Sequence, residues 1–253
     1  MKKFYFLFIL LGILVGYFIG VSLTPRTVIY KNLSTSPIIK YLPCEEPIIP
    51  ENVSLASIKI PAVDQEGNGV VTSLEVQAFP GTGKTLVNID RLLFWTDTQN
   101  SIRIAKMVAE NVTGLNLSKY DLVYTIHANA TVIEGPSAGA ALTIATIAAL
   151  ENKKINSSVM MTGIINHDGT IGPVGGVLQK ANASRDVGAK LFLVPLGQSK
   201  EVEYESKKYC QKIGSFQICH TEMIPKKVDI EKEVGIKVKE VENIQEALSY
   251  FLI

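Results

Sequence analysis

EGPSAGAALTIATIAAL (residues 134–150) sets a glycine and a proline immediately ahead of a serine and follows them with an apolar, alanine-rich run. Gly135 permits a sharp turn, and Pro136 is pre-set for the first position of a helix. Ser137 then stands at a helix start, where free backbone N–H groups point outward and the helix dipole favours negative charge. A hydroxyl placed there can act beside donors that stabilise an oxyanion. A small residue that merely begins a buried helix gives the same letters, so the rest of the chain has to choose.

The chain has 253 residues, room for one good-sized domain or two small ones, and a formal net charge of +1 that gives no sign of a nucleic-acid partner. Residues 4–23 are uncharged and apolar behind Lys2 and Lys3. As a helix they would extend about 30 Å, enough to cross a hydrocarbon core. The two lysines would stay on the cytoplasmic side and send the remainder outward. An uncleaved anchor over residues 1–24 is the favoured reading, and a removed signal peptide the second. Gly12, Gly16 and Gly20 share one helical face, which permits close helix–helix approach. Residues 25–55 read as a stalk, interrupted by Pro25, Pro37, Pro43, Pro47 and Pro50. Residues 56–253 read as one domain.

Two compositional features agree with an exterior location. Asn32, Asn52, Asn111, Asn116, Asn129, Asn156 and Asn182 each open an N-x-Ser/Thr triplet, more than the roughly two that composition alone would supply. Asn129 and Asn182 are expected inside elements and unmodified. Cys210 and Cys219 flank a segment containing Gly214 and could close a hairpin disulfide outside the cell, leaving Cys44 in the stalk.

Within the domain, alternation predicts strands over 57–63 and 69–78, joined at Gly67–Asn68–Gly69, and a further strand over 85–89. Residues 98–112 carry Ile102, Ala105, Val108 and Val112 on one helical face. Strands are expected over 122–127, 159–163, 171–174, 190–195 and 236–241, and helices after Ser137 and over 177–187 and 244–251. Strands and helices mix without strict alternation, so the class is α+β, or mixed α/β.

Three patterns mislead. AFPGTGKT (residues 78–85) resembles a phosphate-binding loop, but Ala78 replaces its first glycine and a strand follows where a helix is required. A hairpin turn explains it better. GPSAG also fits the nucleophile elbow of α/β-hydrolases, with Asp186 or Asp229 as the acid; His220, the one histidine beyond His167, precedes Asp229, so the order allows Asp186 with His220. His127, His167 and His220 are scattered without metal-ligand spacing, so no metal and no cofactor are expected.

The second informative stretch is MTGIINHDGTIGPVGGVLQKANAS (residues 161–184). Gly175 and Gly176 allow close backbone approach, and Lys180 follows on the next helix. A serine hydroxyl needs a base to attack, and lysine serves only where burial leaves part of it neutral. Val174, Val177, Leu178 and Ala181 could supply that burial. On a helix face open to water, Lys180 would instead be an ordinary solvated lysine.

GPSAG, then MTG, then PVGG-x-x-x-K, in this order, resembles the proteolytic domain of Lon-type serine proteases. The resemblance covers about residues 57–202 and loosens beyond Glu203. It implies Ser137 as nucleophile and Lys180 as general base. Thr162 would set a hydroxyl near the lysine ammonium, and Glu134 would gate or polarise the site. It also implies a homo-oligomeric ring, a hexamer by family habit, acting on unfolded or misfolded protein segments. The resemblance does not extend upstream, so the expected form is stand-alone and membrane-anchored, without the family's ATPase module. Its catalytic domain would be extracytoplasmic, working without ATP; a cytoplasmic topology would call for a separate ATPase partner. The rivals are an esterase using Ser137, Asp186 and His220, and a catalytically silent anchored scaffold.

Overall fold

Apolar and polar side chains alternate over residues 54–80 and form the antiparallel pair β1 (Ser54–Val63) and β2 (Gly69–Pro80). Ala56, Ile58, Ile60, Leu74, Val76 and Ala78 are buried on one face, as the two-residue period of a strand requires. The computed structural model describes residues 52–88, 96–127 and 135–253. The expected anchor, most of the stalk, Cys44, Asn32, Asn129 and Glu134 lie outside the described residues. Among those described, no helix is long and apolar enough to cross a membrane.

At the β1–β2 turn, Asp64 accepts from the amides of Glu66 and Asn68, and Gly67 takes φ 87°. β4 (Tyr120–His127) pairs antiparallel to β2 and parallel to β3 (Thr85–Asn88), giving the sheet order β1-β2-β4-β3. The GTGK turn between β2 and β3 holds an anion after all, but one belonging to the chain. Asp121 Oδ1 accepts from the amides of Thr82 (2.7 Å) and Lys84 (2.8 Å). The Lys84 amide, first among these donors, holds the Asp121 carboxyl below the usual carboxylate range. A Cβ on Gly81 would lie 2.3 Å from that carboxyl carbon, so the turn is wrapped closely around it.

Helix α1 (Thr96–Thr113) buries Ile102, Ala105 and Val108 against α2 (Gly139–Leu150), which continues a 3₁₀ turn at Pro136–Ala138. α2 is apolar on every side because it is buried on every side, between α1, β1 and β2. Its two interior hydroxyls are satisfied within the helix, Thr143 by the Gly139 carbonyl (2.9 Å) and Thr146 by that of Leu142 (2.7 Å).

A second, parallel sheet has the order β11-β8-β5, from β5 (Val159–Met161), β8 (Leu191–Pro195) and β11 (Lys237–Val241). A smaller core forms where α3 (Val177–Asp186) and α4 (Ile230–Val234) bring Val177, Ala181, Ile230 and Val234 together with Met160, Phe192 and Val194. β6 (Ile164–Ile165) and β7 (Ile171–Gly172) form a short antiparallel pair, and α5 (Ile244–Phe251) closes the chain. The expected mixed α/β class holds. Most elements fall within a few residues of their expected bounds.

The departure lies between 200 and 229. β9 (Lys200–Ile213) and β10 (Phe216–Asp229) form a two-stranded antiparallel ribbon, exposed along nearly its whole length. Cys210 and Cys219 face each other on it and are disulfide-bonded. The hairpin disulfide follows from the cysteine spacing, but fourteen-residue strands do not. With neither face buried, the ribbon carries no apolar alternation to betray it.

α3 crosses the β1–β2 hairpin at Gly69, where an added Cβ would fall 2.1 Å from the Gln179 carbonyl oxygen. Gly69→Ala is therefore expected to destabilise the domain by about 1–3 kcal/mol. Urea unfolding measures this, and an unchanged midpoint would show that helix and hairpin are not held at this spacing.

Candidate active site

Two tight backbone turns build the site. Gly135 enters the α2 run at φ 94°, ψ 162°, which side-chain-bearing residues rarely adopt. Pro136 follows, and Ser137 comes next with its amide in the first turn, where no carbonyl lies one turn back to receive it. The loop after β5 is tied to this start by three bonds. Gly163 N donates to the Ser137 carbonyl (3.0 Å), Ala140 N donates to the Gly163 carbonyl (3.0 Å), and Thr162 Oγ1 donates to the Ser137 carbonyl (3.3 Å). A Cβ on Gly139 would meet Ile165 Cγ2 at 2.7 Å, so the packing of α2 on β6 needs glycine there.

On the other side, Gly176 turns left-handed at φ 65° and caps α3, with Val63 Cγ2 2.8 Å from where a Cβ would stand. One turn later comes Lys180, only 5% exposed. Its Nζ donates to the Gly175 carbonyl (2.9 Å). Val177 and Ala181 are buried beside it, and Val174 and Leu178 pack on the same core. Burial pulls the Lys180 amine down to about 8, against the opposing pull of the Glu201 carboxylate, which favours the charged form.

Ser137 and Lys180 line one cavity of about 420 Å³, whose apolar wall comes from Pro136, Ile164, Pro173 and Val174. Their side chains share no hydrogen bond here; the one bond from the Lys180 ammonium runs to the Gly175 carbonyl. Thr162 is fully enclosed, and its hydroxyl donates to the Ser137 main-chain carbonyl. Glu134 lies outside the described residues.

Two residues that sequence reasoning passed over hold the lysine side of the site. The Gln198 carboxamide pairs with both backbone groups of Val174, accepting from its N–H (2.9 Å) and donating to its carbonyl (2.7 Å). This fixes the segment whose next carbonyl receives Lys180. Glu201 Oε2 accepts from the Leu178 amide (2.9 Å) in the first turn of α3. Neither residue belongs to a recognisable motif; a polar residue just past a strand is the only trace.

The rival triad is not assembled. His220 stands on the ribbon, 3.3 Å from Glu222 and stacked on Tyr209, while Asp186 is engaged by Arg185 at 2.7 Å. Neither lines the Ser137 cavity.

Because burial lowers the Lys180 value from 10.5 to about 8, the sign of its effect on folding is fixed. Below pH 8 the amine is charged in both states, and the folded state carries the whole desolvation cost. Between the two values the folded state loses its proton first, so stability rises with pH. Lys180→Met is thus expected to raise unfolding free energy at pH 7 by roughly 1–3 kcal/mol. Denaturant titrations across pH 7–10 should show that gain shrinking toward the alkaline end.

Residues 65–228 match the family described as the Lon protease (S16) C-terminal proteolytic domain, a span that holds Ser137, Thr162 and Lys180. The chain is 34% identical over 110 residues to a Lon protease of Desulfovibrio desulfuricans, covering 43% of this chain and 12% of that protein. It is 29% identical over 198 residues to an archaeal Lon protease of Thermococcus kodakarensis, covering 75% of this chain and 30% of that protein. An archaeal Lon protease of Methanothermobacter thermautotrophicus is 28% identical over 153 residues, with 58% and 23% covered. The chain thus spans less than a third of the length of each of these relatives.

Proposed function

Because the chain belongs to the family of Lon protease (S16) C-terminal proteolytic domains, we propose that it is a serine endopeptidase in which Ser137 is the nucleophile and Lys180 its general base. The observation that carries this is the cavity shared by the two side chains, with the amine buried and its affinity for a proton lowered to about 8. A neutral Lys180 amine takes the Ser137 proton as the oxygen attacks the substrate carbonyl. The developing oxyanion falls to N–H groups at the start of the α2 run, including that of Ser137. Lys180 then returns the proton to the leaving amine, and a water activated by the same amine hydrolyses the acyl-enzyme. Gln198 and Glu201 position the backbone around Lys180 throughout. Thr162 positions Ser137 through its carbonyl.

The substrates in this reading are unfolded or misfolded protein segments, since an extended chain can thread into an open cavity and a packed one cannot. The run over 4–23 behind Lys2 and Lys3 supports a single-pass anchor with the domain outside the cytoplasm. The family supports a homo-oligomeric ring. A separate ATPase partner would be needed only if the domain faced inward.

With folding checked by circular dichroism, Ser137→Ala and Lys180→Ala are each expected to reduce cleavage of an unfolded protein by more than about a thousandfold. His220→Ala should leave it intact. Loss of activity with His220→Ala would favour the esterase instead, and a wild type neither turning over nor labelled by a serine-reactive probe would favour the scaffold. The wild-type rate should climb with pH through about 8 and level off above it, as Lys180 sheds its proton. For topology, trypsin added to intact cells is expected to remove the domain; full protection would place it inside.

A further inference from the structure

The β9–β10 ribbon has two open edges among the described residues, and they are not equivalent. The Cα atoms of Cys210 and Cys219 are 4.1 Å apart, the spacing of a pair that exchanges no backbone hydrogen bonds. By alternation, the even-numbered residues of β9 turn their N–H and C=O groups away from β10. Their partners across the register, which include Pro225 opposite Tyr204, do the same on the other edge. Pro225 therefore removes a donor from the outer edge of β10, and Lys226 and Lys227 follow it there. Proline and lysine are the usual means by which an edge is kept from pairing. β9 has no proline. From Val202 to Cys210 its outward donors and acceptors are complete.

The charges along β9 are ordered as well. Glu203 and Glu205 lie toward the root, Lys207 and Lys208 toward the tip. An antiparallel copy of the same strand reverses that order and sets acid against base. Apolar side chains on the ribbon stand in water, Tyr204 at 63% and Met223 at 59% exposure. A two-stranded ribbon without a packing partner is at best marginally stable. We propose that the β9 edge binds the β9 edge of a second copy of this chain, about a twofold axis at Ser206.

In that arrangement Ser206 faces Ser206 of the second copy through a hydrogen-bonded pair, since its backbone groups point outward. Tyr204 faces Lys208 of the second copy in the same way. Glu205 faces Lys207 of the second copy in the closer, non-hydrogen-bonded pair, and symmetry repeats each contact. Met223, cross-strand from Ser206, adds an apolar side chain on either flank of the axis. Taken alone, a twofold contact closes on itself and joins chains in pairs. The contact is independent of the Ser137 chemistry and of any ring formed through the domain body.

Full-length chain in detergent, carrying Cys44→Ser, tests this by two routes. In the first, Ser206→Cys should form an intermolecular disulfide under mild oxidation, because a hydrogen-bonded cross-strand pair lies within disulfide reach. Glu203→Cys, which faces Tyr209 of the second copy, should not. In the second, Glu205→Lys and Lys207→Glu should each raise the dissociation constant measured by sedimentation about tenfold. The combined exchange should restore it. Absence of the Ser206→Cys cross-link, or an association state indifferent to both reversals, would overturn the proposal. So would reversals that abolish capture of carboxymethylated lactalbumin while leaving the mass unchanged, because the occupant of the edge would then be an extended substrate.

Discussion

Everything at the candidate site turns on one awkward charge. The Lys180 ammonium sits where water scarcely reaches it, and three features of the fold hold it there. α3 starts at a left-handed glycine that side-chain-bearing residues would strain, so the helix cannot easily be reset. Gly175 offers a single carbonyl as acceptor. Gln198 and Glu201 brace the backbone on both sides of that contact. Two opposing influences act on the amine. Desolvation favours the neutral form and the Glu201 carboxylate the charged one, and desolvation is the larger. A base for a serine hydroxyl needs this balance, poor enough solvation to release the proton near neutrality yet enough polar contact to remain ordered.

The serine opens into the same cavity as the lysine because of how α2 is packed. A helix apolar on all sides has no solvent face along which it can slide, and its start is clamped by the Thr162–Gly163 loop. The first turn therefore opens where the large core ends, while the smaller core around Phe192 and Val177 fixes α3. The cavity lies where the ends of these two packed bodies meet. Ser137 and Lys180 thus come from separate elements, each located by the burial of its own helix.

The parts legible in the sequence were those whose burial leaves a period. The β1–β2 hairpin, α1 and α2 show their two-fold or 3.6-fold patterns because each has a defined inside. Ser137 and Lys180 were legible through glycines that mark tight turns next to them. The ribbon was not, because Val202, Tyr204, Lys207 and Lys208 face water together. Gln198 and Glu201 were hidden for another reason. Their partners are main-chain atoms of Val174 and Leu178, and any residue has those. The bond from the Thr162 hydroxyl to the Ser137 carbonyl was hidden on the same account, since a carbonyl leaves no mark in the alphabet.

The GTGK turn shows what a short motif leaves out. Consecutive amides around a glycine-rich bend attract negative charge of any origin, and phosphate is only the best-known visitor. In this chain Asp121 is tethered in the opening strand residues of β4, arriving at an effective concentration no free nucleotide would match. A guest would have to evict a carboxylate anchored a few bonds away and then leave that charge stranded beside its own. What looks from the letters like a doorway for ATP has become a clasp joining the ends of two strands, and acid strong enough to protonate Asp121 should loosen that clasp.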